Sequence, residues 1–397
     1  MKDKKRILFV IDSLNVGGAE KSLVTLLNLL DYSRYEVDLQ LFAYKGVFMQ
    51  FLPKDVNVLP PLDYTRFLAS SIWKQILQPR MLCSRIFYSL GLKRKRLLHA
   101  DKACLYWKTV GRIIKKTTSM YDVAIAYAQG IPTFYVIEKV SATKKLTWVN
   151  VDYRLTGKTQ NYQRAFYQKS DVIVPVSDSV FDVFATEVFP EFKGKMKIMW
   201  DITDETMIRR MSELPSDKPI EKDLPVIMTA GRLNKPQKGY DLALMAAKVL
   251  RDRGVRFRWF AIGDGPYRGE MERYIKENHL QDVFILLGFT ANPYSYMRQC
   301  DVYVQTSRHE GFGLTIAEAR ILNRPVVCTN FEACTMQMVN GKNGLVTSFE
   351  PEDIADAIER LLKDKQLYAN IQEYLKNEKK GNTEEIRNFY HLIDGKS

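Results

Sequence analysis

Cysteine is scarce in this chain and forms no pattern. Cys83, Cys104, Cys300, Cys328 and Cys334 are scattered, odd in number, and include no C-x-x-C pair. A disulfide framework and a spaced zinc site are therefore excluded, and the composition fits thiols buried in a reducing compartment. Long hydrophobic runs are missing too: no apolar stretch approaches the roughly 20 residues of a membrane-spanning helix. The basic start, with Lys2, Lys4, Lys5 and Arg6 ahead of Ile7–Ile11, resembles the opening of a signal peptide, but Asp12 ends the apolar stretch too early. It reads as a charged tail and a first buried strand, so the cytoplasm is the expected compartment. Short-period repeats and low-complexity tracts are also absent. The last shortage is local. Residues 64–118 hold thirteen Lys and Arg but a single acid, Asp101, so nearly all of the net charge of +13 sits there. A patch of this kind implies an anionic partner.

What is present argues for two domains. A chain of 397 residues with 46% hydrophobic and 26% charged residues is a soluble protein too long for one ordinary core. Short apolar runs recur at Ile7–Ile11, Val123–Ala126, Val226–Ala230, Phe257–Ile262, Val283–Leu287, Val302–Val304 and Val326–Cys328. Continuous runs of that length suit strands buried on both faces of a parallel sheet. Amphipathic helical patterns lie between them, such as Leu242, Met245, Ala246, Val249 and Leu250. The predicted class is α/β, doubly wound, and the alternation starts twice. The expected domains are 1–212 and 226–380, joined by a Pro-bearing linker at 213–225, with a final helix in 381–397. Two such domains are expected to face each other across a cleft, with ligands at the C-terminal strand ends. Val172–Val176 carries Pro175, which confines it to an edge or ends it early.

Three loops carry chemistry. Gly231-Arg232-Leu233 follows a buried strand, and Lys238-Gly239 leads into a helix. Strand end, cations and helix start together suit an anion: Arg232 can fork across two phosphate oxygens, and Lys238 adds a compact charge. Gly263-Asp264-Gly265-Pro266 is a second strand-end turn. Ser307-Arg308-His309-Glu310-Gly311-Phe312-Gly313-Leu314-Thr315 is a third, where glycines permit close approach of a ligand and amides open a helix. Glu318 lies eight residues after Glu310, so the two carboxylates address different parts of an extended ligand. Solvated surface loops are the ordinary alternative for each.

In this order the three loops resemble the donor domain of family 4 of the glycosyltransferases, which has the GT-B fold. The resemblance is strong from about 225 to 365 and looser before. It implies that Arg232 and Lys238 neutralise a donor diphosphate and that Glu318 holds ribose hydroxyls. Glu310 and the amides of Gly311, Phe312, Gly313 and Leu314, with Thr315 beside them, would face the sugar and distal phosphate. Gly263 would line the site, and Phe289 would lie near the base. His309 falls where the family varies and reads as a surface side chain. In the family the Gly17-Gly18-Ala19-Glu20 loop meets the donor phosphate. A histidine common near Asn150 is replaced here, so Asn150 can hydrogen-bond but cannot act as a base, and Asp152 is its possible substitute at the acceptor. The family is retaining and GT-B enzymes usually need no metal, so the expectation is a hexosyltransferase without cofactor, using a nucleotide-diphosphate sugar, with UDP as the family-weighted base. A nucleotide-sugar epimerase on the same fold and a non-catalytic partner subunit are the rival readings.

Residues 64–118 interleave their cations with Phe67, Leu68, Ile72, Trp73, Ile76, Leu77, Leu82, Ile86, Phe87 and Tyr88. That mixture suits a helix on an anionic leaflet, with a merely solvated pair of helices as the ordinary alternative. No nucleic-acid module is recognisable. The expected partners are thus a sugar donor, a glycan or glycolipid acceptor such as a growing bacterial surface polysaccharide, and the inner face of the cell membrane.

Overall fold

The computed structural model describes residues 4–15, 17–93, 99–151, 154–155 and 157–395. Asp152 and the cations Arg94, Lys95 and Arg96 lie outside the described residues. The chain forms two compact units, Met1–Asp201 with Glu384–Ser397, and Ile202–Thr383. The crossing falls at Asp201, ahead of the Pro-bearing stretch, and helix Glu205–Ser212 counts with the second unit.

The first unit holds strands β1 (Lys5–Ile11), β2 (Tyr35–Leu41), β3 (Val56–Val58), β4 (Met120–Ala126), β5 (Ser141–Val149) and β6 (Val172–Pro175), in the order β3-β2-β1-β4-β5-β6. All its pairings are parallel. Pro175 sits on edge strand β6, where its missing N–H costs no ladder bond. The second unit repeats the arrangement with β7 (Val226–Ala230), β8 (Arg258–Ile262), β9 (Phe284–Gly288), β10 (Val302–Gln305), β11 (Val326–Thr329) and β12 (Gly344–Thr347), ordered β12-β11-β10-β7-β8-β9. Each sheet therefore reverses its winding once, beside its first strand: between β1 and β4, and between β7 and β10. Ligands of doubly wound sheets bind at these points, outside the carboxyl ends of the strands.

The apolar runs read from the sequence are strands, buried where helices cover both faces of the sheet, while edge strand β9 is only partly buried beyond Phe284. Strand β2 escaped that reading. Its sequence YEVDLQL alternates like a half-exposed strand, yet Asp38 and Gln40 are buried. Asp38 accepts from Tyr121 Oη at 2.8 Å and from Asn57, and Gln40 donates to Tyr44 at 2.8 Å, so the buried polar groups are partnered.

Four helices follow β3: α2 (Asp63–Ala69), α3 (Ile72–Ile76), α4 (Pro79–Lys93) and α5 (His99–Val110), after α1 (Gly18–Leu29) near the N-terminus. From α2 and α5, Phe67, Ala103, Cys104 and Trp107 join one core with Leu8 and Val10 of β1. The final helix, Ile386–Asp394, belongs to the first unit. Phe389 stacks on Phe9 with ring centroids 5.9 Å apart, Tyr390 stacks on Tyr35 at 5.6 Å, and Asp394 pairs with Lys5 and Arg34. Phe389 is fully buried, so Phe389→Ala is expected to destabilise the first unit by about 3–5 kcal/mol. Urea unfolding followed by a probe in that unit measures it; a loss below about 1 kcal/mol would make the helix a dispensable appendage.

Candidate active site

In the second unit the residues singled out from the sequence gather at the winding reversal. After β7 the chain runs through Gly231 and the exposed Arg232, makes one helical turn at Lys235–Lys238, and passes Gly239 into helix Tyr240–Asp252. Gly239 has φ +61°, and a Cβ there would stand 1.9 Å from the Thr306 carbonyl oxygen. Only glycine lets the β7 loop lie against the chain leaving β10. Gly263 plays the same part beside Gly231: its φ is +138°, and a Cβ would meet the Gly231 carbonyl oxygen at 1.9 Å.

The consequence is a contact between the two loops. Lys238 Nζ reaches Glu310 Oε1 at 2.6 Å, with the side chains 19% and 8% exposed. The Lys238 stem runs past Gly231, whose α-carbon leaves room for it. Glu310 also accepts from Ser307 Oγ at 2.6 Å and Gln305 Nε2 at 2.8 Å. Gln305 in turn accepts at Oε1 from Tyr303 Oη and from Thr315 Oγ1. The pair is thus held by a hydrogen-bonded network rooted in β10. Such a pair is favourable only when the remaining polar atoms are satisfied.

Gly311, Phe312 and Gly313 are buried, and Gly313 has φ +81° at the start of helix Leu314–Ile321. Gln337 donates to the carbonyls of Phe312 and Gly313, which fixes the turn from behind. Glu318, on the same helix, is 1% exposed, and Tyr294 Oη donates to it at 3.2 Å. Burial beside that carboxylate pushes the Tyr294 hydroxyl well above the usual phenol range. Phe289, past the end of β9, is 39% exposed. His309 is exposed.

Arg308, in the same loop as Glu310, turns back toward the β7 loop. Its guanidinium forms a two-pronged contact with Asp241 at 2.9 and 2.8 Å and donates to the Lys235 carbonyl, while its N–H donates to the Gln237 carbonyl. It therefore clamps the one-turn helix that carries Lys238. Gln305 had one readable signal, a polar residue closing an otherwise apolar strand.

The first unit places Gly17, Gly18 and Asn150 at its own strand ends. Glu20 folds back over Gly17, where a Cβ would stand 2.1 Å from its carboxylate. Asp12, directly after β1, is raised to about 7 by burial, with the Glu20 charge adding to the shift. Asn150 Nδ2 donates to the Tyr127 carbonyl at 2.7 Å, and among the described residues nothing donates to its buried Oδ1. Among the described residues no group of three or more His, Cys, Asp or Glu side chains is arranged to hold a metal ion.

Comparison with known proteins places this geometry in a class. The fold is GT-B, two Rossmann-like α/β units. Anabaena HepE, solved in complex with UDP and glucose, superposes with a TM-score of 0.68 at 18% identity, covering 99% of this chain and 100% of that one. Residues 211–378 match the family model of the glycosyl transferases group 1, so the match takes in the strand ends that carry Lys238 and Glu310. The chain is 30% identical over 154 residues to the alpha-D-kanosaminyltransferase of Streptomyces kanamyceticus, 38% of this chain and 40% of that protein. It is 25% identical over 359 residues, 90% of each chain, to the N-acetylgalactosamine-N,N'-diacetylbacillosaminyl-diphospho-undecaprenol 4-alpha-N-acetylgalactosaminyltransferase of Campylobacter jejuni. The chain spans about two fifths of the length of the first two curated relatives it matches, 40% and 41%.

One buried acid makes a pH prediction. Asp201, the last residue of the first unit's main segment, accepts from Ser22 Oγ at 2.5 Å, and Ser22 also meets Tyr127 Oη at 2.9 Å. Burial pushes the Asp201 carboxyl up to about 7, against the pull of Ser22. The folded state therefore keeps a proton that the unfolded chain has lost, and stability falls as pH rises from about 4 to about 7. Asp201→Asn fixes the neutral form and keeps an acceptor for Ser22. Its unfolding free energy should fall less over that interval, with a gain of about 2–4 kcal/mol at pH 7.5. Parallel denaturation curves for variant and parent across that range would count against the neutral carboxyl.

Proposed function

We propose that this protein is a retaining glycosyltransferase that moves a hexose-type sugar from a nucleotide-diphosphate donor, with UDP as the base-bearing product, to a lipid-linked or polysaccharide acceptor at the cytoplasmic face of a membrane. The observation that carries the reading is the meeting of Lys238 and Glu310 where the second sheet reverses its winding, beside the amides that open helix Leu314–Ile321. Cation, helix N-terminus and carboxylate in one place suit a phosphate joined to a polyol.

In this reading Lys238 and Arg232 stabilise charge as it develops on the leaving diphosphate. Glu310 orients Lys238 through its Oε1 and offers its other oxygen to sugar hydroxyls. The amides of Gly311 to Leu314 hold the distal phosphate, Glu318 takes the ribose, Gly263 lines the turn, and Phe289 flanks the base. From the first unit, the family resemblance assigns Gly17 and Gly18 to the donor phosphate and Asn150 to the acceptor. Catalysis then rests on positioning and on stabilisation of the leaving group, with transfer to the same face of the sugar and no metal ion. The solved complex of HepE with UDP and glucose and the diphospho-undecaprenol acceptor named for the Campylobacter enzyme support the choice of donor and acceptor class.

Lys238→Ala should lower turnover about 100- to 1,000-fold while the fold survives. A screen of nucleotide sugars with isolated membranes as acceptor source reads it, with circular dichroism as the control for folding. Near-normal turnover would remove Lys238 from the chemistry. Interconversion of the donor sugar without acceptor would instead favour an epimerase.

A further inference from the structure

Helix α4 is apolar on more of its surface than its neighbours can cover. It packs on α5 through Ser84, Tyr88 and Gly91: Tyr88 meets Tyr106 edge-on at 5.4 Å, and a Cβ on Gly91 would stand 2.7 Å from Leu105. The next stripe, Cys83, Ile86, Phe87 and Leu90, follows i, i+3, i+4, i+7 and is exposed, Phe87 by 65%. The short helix before it adds Trp73 at 76% and Leu77 at 80%. An apolar face this continuous in a folded chain marks a partner.

Between α4 and α5 lies a crevice of about 720 Å³. Its walls are Phe87, Cys83 and Ile113, and its cations are Arg80, Lys108 and Arg112. Among the described residues no acid pairs with any of the three. Lys108 lies over the Tyr162 ring at 4.4 Å, which aims it without neutralising it. The exposed cations Lys74 and Lys93 flank the stripe outside the crevice.

We propose that this crevice seats the phosphate headgroup of an anionic bilayer lipid while Trp73, Leu77 and Phe87 enter the boundary between headgroups and acyl chains. Three cations lining one crevice match a phosphate, and an apolar stripe beside the same crevice matches the chain attached to it. Nucleic acid would satisfy the cations but leave the aliphatic stripe in water. The purpose of the site rests on the reading of this protein as an enzyme working at a membrane; the binding itself does not.

The test is cosedimentation of the full chain with vesicles of phosphatidylcholine alone or mixed with phosphatidylglycerol. Binding is expected only to the anionic vesicles. Arg80→Glu with Arg112→Glu should weaken it about tenfold or more, and Phe87→Ser should weaken it without any change of charge. Lys74→Glu with Lys93→Glu carries the same charge change outside the crevice and should cost less than about threefold. Equal losses from the two charge pairs would overturn the crevice in favour of diffuse attraction. Absence of vesicle binding, or displacement of the protein from vesicles by a single-stranded oligonucleotide at lower concentration than by soluble glycerol phosphate, would overturn the lipid. UDP binding by thermal shift, run on every variant, separates the two readings. It should persist in all of them, and its absence from the parent protein would sink the transferase proposal while leaving the lipid site standing.

Discussion

The contact between Lys238 and Glu310 is the constraint on which the second unit's site depends. Its two ends leave different strands, β7 and β10, which are neighbours only because the sheet reverses its winding there. For the ends to meet, the loops must approach closer than side chains permit, and Gly239 against Thr306 and Gly263 against Gly231 supply that closeness. Arg308 then locks the cation's helical turn to Asp241, while Ser307 and Gln305 join Lys238 on the carboxylate's Oε1. The pair is tolerable because its carboxylate accepts from Ser307 and Gln305 as well as from Lys238. A cation fixed in this way needs little reorganisation when an anion arrives, which is the condition for electrostatic catalysis.

Much of the second unit was legible in the sequence, and for a definite reason. Strands covered on both faces must be continuously apolar, and glycines that permit close backbone approach cannot be hidden among other residues. Runs such as Val302–Val304 and positions such as Gly239 therefore announce themselves. The first unit was less readable. Asp38 and Gln40 interrupt β2 with polar side chains whose partners, Tyr121, Asn57 and Tyr44, are known only once the chain is folded. The alternation they create looks like solvent exposure and means internal hydrogen bonding.

Side-chain roles divide along the same line. Lys238 stands out because a cation just after a strand end suits an anion, and Glu310 because its loop resembles a family motif; their contact with each other was not legible. The work of Arg308 was not legible either, since its partner Asp241 lies 67 positions earlier in the chain. An arginine in a glycine-rich motif reads as a ligand for phosphate, and here it is committed to a carboxylate of its own unit. Asp201 shows the limit from the other side. Nothing in its neighbourhood in sequence marks it as buried, and its link to Ser22 spans nearly the whole first unit.

The exposed face of α4 follows from layering more than from composition. The sheet of the first unit is covered on that side by α2 and α5, whose Phe67 and Trp107 complete its core. Helix α4 lies against α5 and α3 and forms a further layer outside them. A surface helix in that position ordinarily turns polar residues outward. This one turns out Ile86, Phe87 and Leu90, and its cations stand beside the apolar stripe. Met81 and Leu82 tie this helix to the core, while its outward stripe stays exposed. Positive charge beside hydrocarbon is the pairing on which the proposed lipid site rests.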